Sequence, residues 1–426
     1  MRLASYHTVV GQHAGAWRVS TQAVDTESLD QHRQAAQAAE AAGFDLLLTT
    51  DVLGEQGDPV SPHFLPRLEP AVLLAALAAS TERIGLVGSF STSFNDPYHL
   101  ARQLSSLDHV SRGRAGWNIV TSFRTEAAAG FSSGELPGHA ERYLRARDFV
   151  QAALALWDAW QPDAVVRQRG TGTYVDPTRV HPVSYASDEL DVRGVLPASR
   201  SPQGRPLLVQ AGSSDDGRAL AASHADVVLT SQDHLPDAQR FYREIKSRAV
   251  DAGRDPDKLL VLPGVVTIVG DSRAQAQEVR ERLDAALDDD AARCRLSALL
   301  GWDTSGLPFD SPVDLPPAAT QGHRSRATQL HERAVREGLG IGALARVAEA
   351  TRGHRLVVGT ARDVADELVG WYEQDAADGF LVGPAVMPSG LRRFARDVVP
   401  LLRAAGFLAG REYKGASTLR ERLGVA

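Results

Sequence analysis

STERIGLVGSFSTSFNDPYHLARQLSSLDHVSRGRAGWNIVTS, residues Ser80 to Ser122, reads as strand, polar strand end, helix, tight turn and second strand. Ile84 to Val87 is a short apolar run, followed by Ser89, Ser91, Thr92, Ser93 and Asn95. Pro97 opens a helix in which Leu100, Leu104 and Leu107 recur at helical spacing on one face. Gly113 supplies the turn, and Arg114 to Val120 forms a strand that contains Asn118 and leads into Thr121 and Ser122. Two parallel strands that both end in hydroxyls and amides are the way an α/β barrel builds a binding site at its mouth.

Outward from this unit the chain alternates strand and helix. The pattern predicts strands at Arg2–Tyr6, Asp45–Thr49, Ile84–Ser89, Arg114–Val120, Pro206–Gln210, Asp226–Thr230, Leu260–Ile268 and Gly379–Val382. Eight is the number that closes a TIM-type (β/α)8 barrel. The junctions AAGFDLLLTTD, SHADVVLTSQD and AADGFLVGP echo one another as repeats of one helix-to-strand passage. An open doubly wound sheet has the same alternation. The strand count and the lack of an early G-x-G-x-x-G favour the barrel. Residues 1–426 are expected to form one barrel domain, with insertions at about 161–204 and 283–353 near the mouth. Such loops select substrate in this architecture.

The chain has 426 residues, 43% hydrophobic, with a net charge of −7 and one cysteine, Cys294. That balance gives no electrostatic basis for nucleic-acid binding. No apolar stretch approaches a membrane span, and the N-terminus lacks a secretion signal, so a cytoplasmic enzyme is expected. A lone cysteine forms no internal disulfide. The chain has no G-x-S-x-G elbow, no P-loop and no zinc spacing of H-E-x-x-H type, so no metal is expected.

Asp51 follows an apolar strand directly, at the mouth or as a helix cap. Asn118 lies in an otherwise apolar strand, where a buried amide must find a partner in a loop or a ligand. Gly212, Ser213 and Ser214 follow the strand PLLVQ and open a helix, a place that takes phosphate through backbone N–H groups. Asp215 and Asp216, next along, would repel that anion. His139 and Tyr143 share a face at the start of another helix.

Eight stretches in order resemble one enzyme set. They are WR near residue 17, TTD at 49–51, LEPAVLLAALAASTERIGL, the Ser80–Ser122 core, HAERYLRARDFV, DPTRVHPV, SPQGRPLLVQAGSSDDGRALAASHAD and VGTARDVADEL. The chain resembles the luciferase-like flavin monooxygenases of the nitrilotriacetate, dibenzothiophene-sulfone and long-chain-alkane branch. The resemblance implies a barrel that binds reduced FMN from a separate NAD(P)H:FMN reductase. With O2 as co-substrate, that flavin would form a hydroperoxide or peroxide that oxygenates a small organic molecule. It implies FMN contacts at Asp51, Thr92, His139, Tyr143 and Ser214, joined at the phosphate by Gly212 and Ser213. Asn118 and Ser122 would lie against the isoalloxazine, and Asn118 and His139 are the candidate catalytic residues. His13 and Trp17 would line the substrate side. Phe123 departs from the pattern, because some alkane-oxidising relatives have His there. Relatives of this kind form homodimers or homotetramers. Deazaflavin-dependent hydride transfer and a barrel without turnover are the alternative readings. No arginine cluster in the insertions calls for a polyanionic substrate, and nothing is apolar enough to demand a long alkane.

Overall fold

The computed structural model describes residues 1–54, 64–122, 124–131, 135–313, 324–408 and 417–426. Eight parallel strands close a barrel: Arg2–Tyr6, Leu46–Thr49, Gly85–Ser91, Ala115–Val120, Leu207–Gln210, Val227–Thr230, Leu260–Gly270 and Gly379–Pro384. Each pairs with the next in sequence, and the last pairs with the first through Arg2↔Gly379 to Ser5↔Val382. The TIM-type barrel is therefore the architecture, and the open-sheet alternative falls with that closing pair.

Alternation along the strands sorts side chains between two cores. Ala4, Leu46, Leu48, Val87, Leu207, Val209, Val227, Leu229, Leu260, Leu262 and Leu381 fill the barrel interior. Their neighbours Leu3, Leu47, Leu86, Trp117, Leu208 and Phe380 face the surrounding helices. The C-terminal residues Leu419, Leu423 and Val425 join the interior cluster and plug the base. Leu419 N–H donates to the Gly113 carbonyl at 2.8 Å, and Arg2 reaches the carbonyls of Arg422 and Leu423.

The three echoing junctions share one physical device. The aspartate before each strand accepts an N–H from the start of a neighbouring strand. Asp45 takes Leu3 N at 2.9 Å, Asp226 takes Leu208 N at 2.9 Å, and Asp378 takes Val261 N at 2.8 Å. Each carboxylate satisfies a backbone donor that the ladder leaves open at the barrel base.

A ninth strand, Arg355–Thr360, was not anticipated. It runs parallel to the second half of the long seventh barrel strand, from Val265↔Arg355 to Gly270↔Thr360. The region 161–204 folds into two antiparallel hairpins, Val165–Gln168 with Thr173–Val175 and Val183–Ala186 with Asp191–Gly194. In the region 283–353, the helices Asp289–Leu300, Arg324–Glu337 and Ile341–Thr351 pack on their own apolar cluster around Leu296, Leu330 and Leu344.

Candidate active site

The exits of the third and fourth strands meet as their register requires, with Ser89 opposite Asn118 and Ser91 opposite Val120. Val87 faces the barrel interior, so Ser89 does too, and Asn118 stands beside it. Asn118 Nδ2 donates to Ser89 Oγ at 2.7 Å, while its Oδ1 is buried without a hydrogen-bond partner among the described residues. A buried amide oxygen left open in this way is costly, so the position calls for a donor that the protein does not supply. Thr92 is fully buried, its N–H and hydroxyl both turned to the Val120 carbonyl, and its own carbonyl receives Arg145 Nε at 3.1 Å. Ser122 adopts a left-handed backbone (φ 48°), and its hydroxyl meets Ser91 Oγ at 2.7 Å.

The fifth strand exits into Gly212. A Cβ there would stand 2.4 Å from Gln210 Nε2 and 2.8 Å from Tyr143 Oη, so any larger residue must push both side chains out of the turn. Gln210 Oε1 accepts Gly212 N–H at 2.8 Å and holds this turn. Ser214 caps the helix Asp215–His224 by accepting Gly217 N–H at 3.1 Å. The two aspartates that would repel an anion are drawn aside. Asp215 pairs with Arg248 at 2.5 Å, and that hydrogen bond holds its carboxyl below the usual range. Asp216 pairs with His139 Nδ1 at 3.2 Å. His139 also stacks obliquely on Tyr143, ring centres 4.9 Å apart. Ser213, Gly212, Tyr143 and His139 thus converge on one helix start.

Asp51 lies just past the second strand. Its Oδ1 accepts the following N–H of Val52, and the next described helix, Pro70–Ala78, takes its cap from Glu69 instead. Burial pushes the Asp51 carboxyl above the ordinary carboxylate range, against the opposing hydrogen bond from Val52. His13 is buried with both ring nitrogens engaged: Nδ1 accepts Gly15 N–H at 3.1 Å, and Nε2 faces Asp284 at 3.0 Å. It ties the first loop to the helix Arg273–Ala285 and keeps no free nitrogen for a ligand. Trp17, on the short helix Ala16–Val19, is 41% exposed. Phe123 lies outside the described residues.

Four side chains at the mouth were not singled out. Ser89 and Gln210 orient Asn118 and Gly212, and their place at strand ends was the available signal. Tyr6, at the end of the first strand, carried the same signal, whereas His354 carried none. Tyr6 Oη meets Thr50 Oγ1 at 2.9 Å beside the first two exits. The His354 ring lies over Gly264, and its Nδ1 meets Ser231 Oγ at 3.2 Å. Among the described residues no three His, Cys, Asp or Glu side chains group as a metal site, and no helix is long and apolar enough to cross a membrane.

A model of the luciferase-like monooxygenases matches residues 5–379. The chain belongs to that family. This luciferase-like monooxygenase is 38% identical over 428 residues to the N-acetyl-S-(2-succino)cysteine monooxygenase of Bacillus subtilis (strain 168), covering 100% of this chain and 96% of the relative. It is 36% identical to nitrilotriacetate monooxygenase component A of Aminobacter aminovorans, with the same coverage. A solved riboflavin lyase, with modified FMN and riboflavin bound, superposes with a TM-score of 0.89 at 32% identity, covering 100% of this chain and 96% of that one. Relatives named for dibenzothiophene sulfone and long-chain alkanes fall on the same branch, as the eight sequence stretches imply.

Proposed function

We propose that the mouth binds reduced FMN, delivered by a separate NAD(P)H-dependent flavin reductase, and that the chain oxygenates a small organic substrate with O2. The buried, unmatched Asn118 Oδ1 beside the Gly212 turn is the observation that carries this reading. It offers an acceptor of the kind a flavin ring N–H requires, next to a helix start suited to a phosphate. The reduced flavin supplies two electrons, so that one atom of O2 enters the substrate and the other leaves as water.

The protein's share is to bind, orient and exclude water. Ser213 and Ser214 take the phosphate at the helix start, with Tyr143 closing over the turn; the Gly212 amide expected at the phosphate is instead spent on Gln210 Oε1. Asn118 and Ser122 hold the ring edge, and Thr92 and Asp51 border it. Asp216 accepts the Nδ1 proton of His139, which leaves Nε2 able to hold or pass a proton. Replacing His139 by Ala is expected to lower oxygenation more than FMN affinity. Equal losses would make it a simple flavin ligand. The helices of residues 283–353 act as a cover that keeps water from the reacting centre. The working form is a cytoplasmic homodimer or homotetramer.

The test is turnover with an added flavin reductase, FMN, a reduced nicotinamide and a substrate panel of sulfones, thioether and amino carboxylates, alkanes, ketones and lactams. Product whose formation needs both oxygen and FMN supports the reading. Oxygen-independent turnover on a deazaflavin would replace it with hydride transfer.

A further inference from the structure

The substrate half of the mouth carries charge that the protein does not neutralise. The helix Arg324–Glu337 leans on the loop after the sixth strand, where Gln329 Nε2 donates to the Ser231 carbonyl and Arg333 and Arg336 pair with Asp233. Arg326 lies one turn before Gln329, on the same helical face, and so points toward the same strand exits. Its side chain crosses Gly353, with Nε 3.1 Å from where a Cβ would stand. Arg352 follows at the left-handed end of the helix Ile341–Thr351. Next comes His354, seated over Gly264 of the seventh strand. Gly264 alternates with the interior residues Leu260 and Leu262, so His354 fills the barrel opening itself.

The guanidinium groups of Arg326 and Arg352 make no hydrogen bond or ion pair among the described residues, though each side chain is largely enclosed and keeps only part of its surface open. Arg295, which also acts on Arg352, is already matched by Glu349 at 2.9 Å. Burial lowers both guanidinium pKa values, with added repulsion from Arg352 at Arg326 and from Arg67 and Arg295 at Arg352, and burial followed by the two arginines pushes His354 down to about 3. Tyr6 lies close enough to act on the charge of both arginines. An enclosed guanidinium cannot shed its proton, so it needs an anion or stays unfavourable. The flavin contacts come from the second to fifth strand exits, whereas this group stands over the first, sixth and seventh.

We infer that Arg326 and Arg352 form a carboxylate-binding subsite, with Tyr6 beside them, and that the oxygenated substrate is a small polycarboxylate. The inference rests on the monooxygenase reading for its reaction but not for its binding site. The planar fork of arginine matches a carboxylate with two parallel hydrogen bonds. Two such forks at one opening select a molecule with at least two acidic groups and reject its esters. On this inference the two arginines supply the charge cluster that the sequence alone does not display. Arg326 and Arg352 are 26 positions apart, and only the packing of the two helices brings them together.

Calorimetric titration of the flavin-free protein with tricarballylate, citrate and 2,2′-thiodisuccinate tests the inference, with their methyl esters as controls. Reduced-FMN affinity is measured in parallel under anaerobic conditions. At least one of the acids is expected to bind, and at least ~10-fold more tightly than its ester. R326Q and R352Q are each expected to weaken that binding by roughly 10-fold or more, with partial recovery in R352K and no change in FMN affinity. Circular dichroism confirms that each variant is folded. Equal binding of acids and esters, or unchanged acid binding in both glutamine variants, overturns the inference while leaving the flavin reading intact. Loss of FMN affinity in place of acid affinity also overturns it, by assigning the arginines to the flavin phosphate. Arginine-dependent acid binding with no FMN binding upholds this site and defeats the flavin reading.

Discussion

The base and the mouth of the barrel treat their buried charged groups in opposite ways. At the base, Asp226 accepts both guanidinium nitrogens of Arg205 at 2.8 and 2.9 Å, lies 3.5 Å from Arg420, and takes Leu208 N–H. Arg114 spends its guanidinium on Thr81, Ile84, Ala78 and Ser111. At the mouth, the Asn118 oxygen and two guanidiniums have no such match among the described residues. Burial of unmatched polarity costs stability, and a protein retains it where a ligand completes the set. The base is built to hold the fold, and the mouth is built to hold something else.

Substitutions of one kind at the two ends should therefore differ in sign. Asp226→Ala strands Arg205 and a strand N–H, and is expected to cost about 3–5 kcal/mol in chemical denaturation. A loss under about 1 kcal/mol would erase the contrast.

Acid should act through histidines held neutral by burial at both ends of the barrel. These are His7 at the first strand's exit, His354 at the mouth, and His224 at the base, which burial and then Arg254, Arg205 and Arg147 hold at about 4. His7 donates to His32 Nδ1 at 3.0 Å, and His32 Nε2 donates to the Thr26 carbonyl, so both rings are held neutral. Burial, then the neighbouring His32, holds His7 at about 3. His354 sits at about 3 by burial and the two arginines. The unfolded chain binds these protons near pH 6.5, so stability is complete above that value and is lost as pH falls from 6.5 toward 3. For each histidine the expected loss is about 2 kcal/mol between pH 7 and 5, steepening toward about 1.4 kcal/mol per pH unit at the acid end, read from urea midpoints. Flattening of that slope in His7→Asn supports the assignment. An unchanged slope removes His7 from it.

Gly212→Ala places a methyl against Gln210 and Tyr143 and is expected to weaken FMN binding about 10-fold, at about 1.4 kcal/mol. Fluorescence titration measures it, and wild-type affinity would take the turn out of the flavin site. The smallest effect is the most discriminating. Arg352→Gln should leave the ligand-free protein as stable as wild type or up to about 1 kcal/mol more stable, because it removes a charge the fold does not use. A clear destabilisation there would mean that the mouth arginine is structural, like those at the base.

Much of this contrast was legible in the sequence, and its limits follow from what sequence periodicity records. Eight strands were visible because each is a short apolar run with a polar exit, and Asn118, Thr92 and Gly212–Ser214 lie on those exits. Asp45, Asp226 and Asp378 were visible as an echo, but their shared task needed the register of neighbouring strands. The strand Arg355–Thr360 escaped notice because it pairs outside the closed barrel and has only a half-buried, interrupted apolar pattern. His13 stands in the first loop as expected, yet its engagement with Asp284, 271 positions away, has no local signature. The same holds for Arg326 and Arg352, whose proximity depends on helix packing within the second insertion.

The most direct test of the central claim is mass spectrometry of the product formed under 18O2, with FMN, a flavin reductase, reduced nicotinamide and a thioether or amino polycarboxylate. One labelled oxygen atom in the product, absent when FMN is omitted, is the expected result. A product with oxygen drawn from water, or product formed at the same rate without O2, would contradict it.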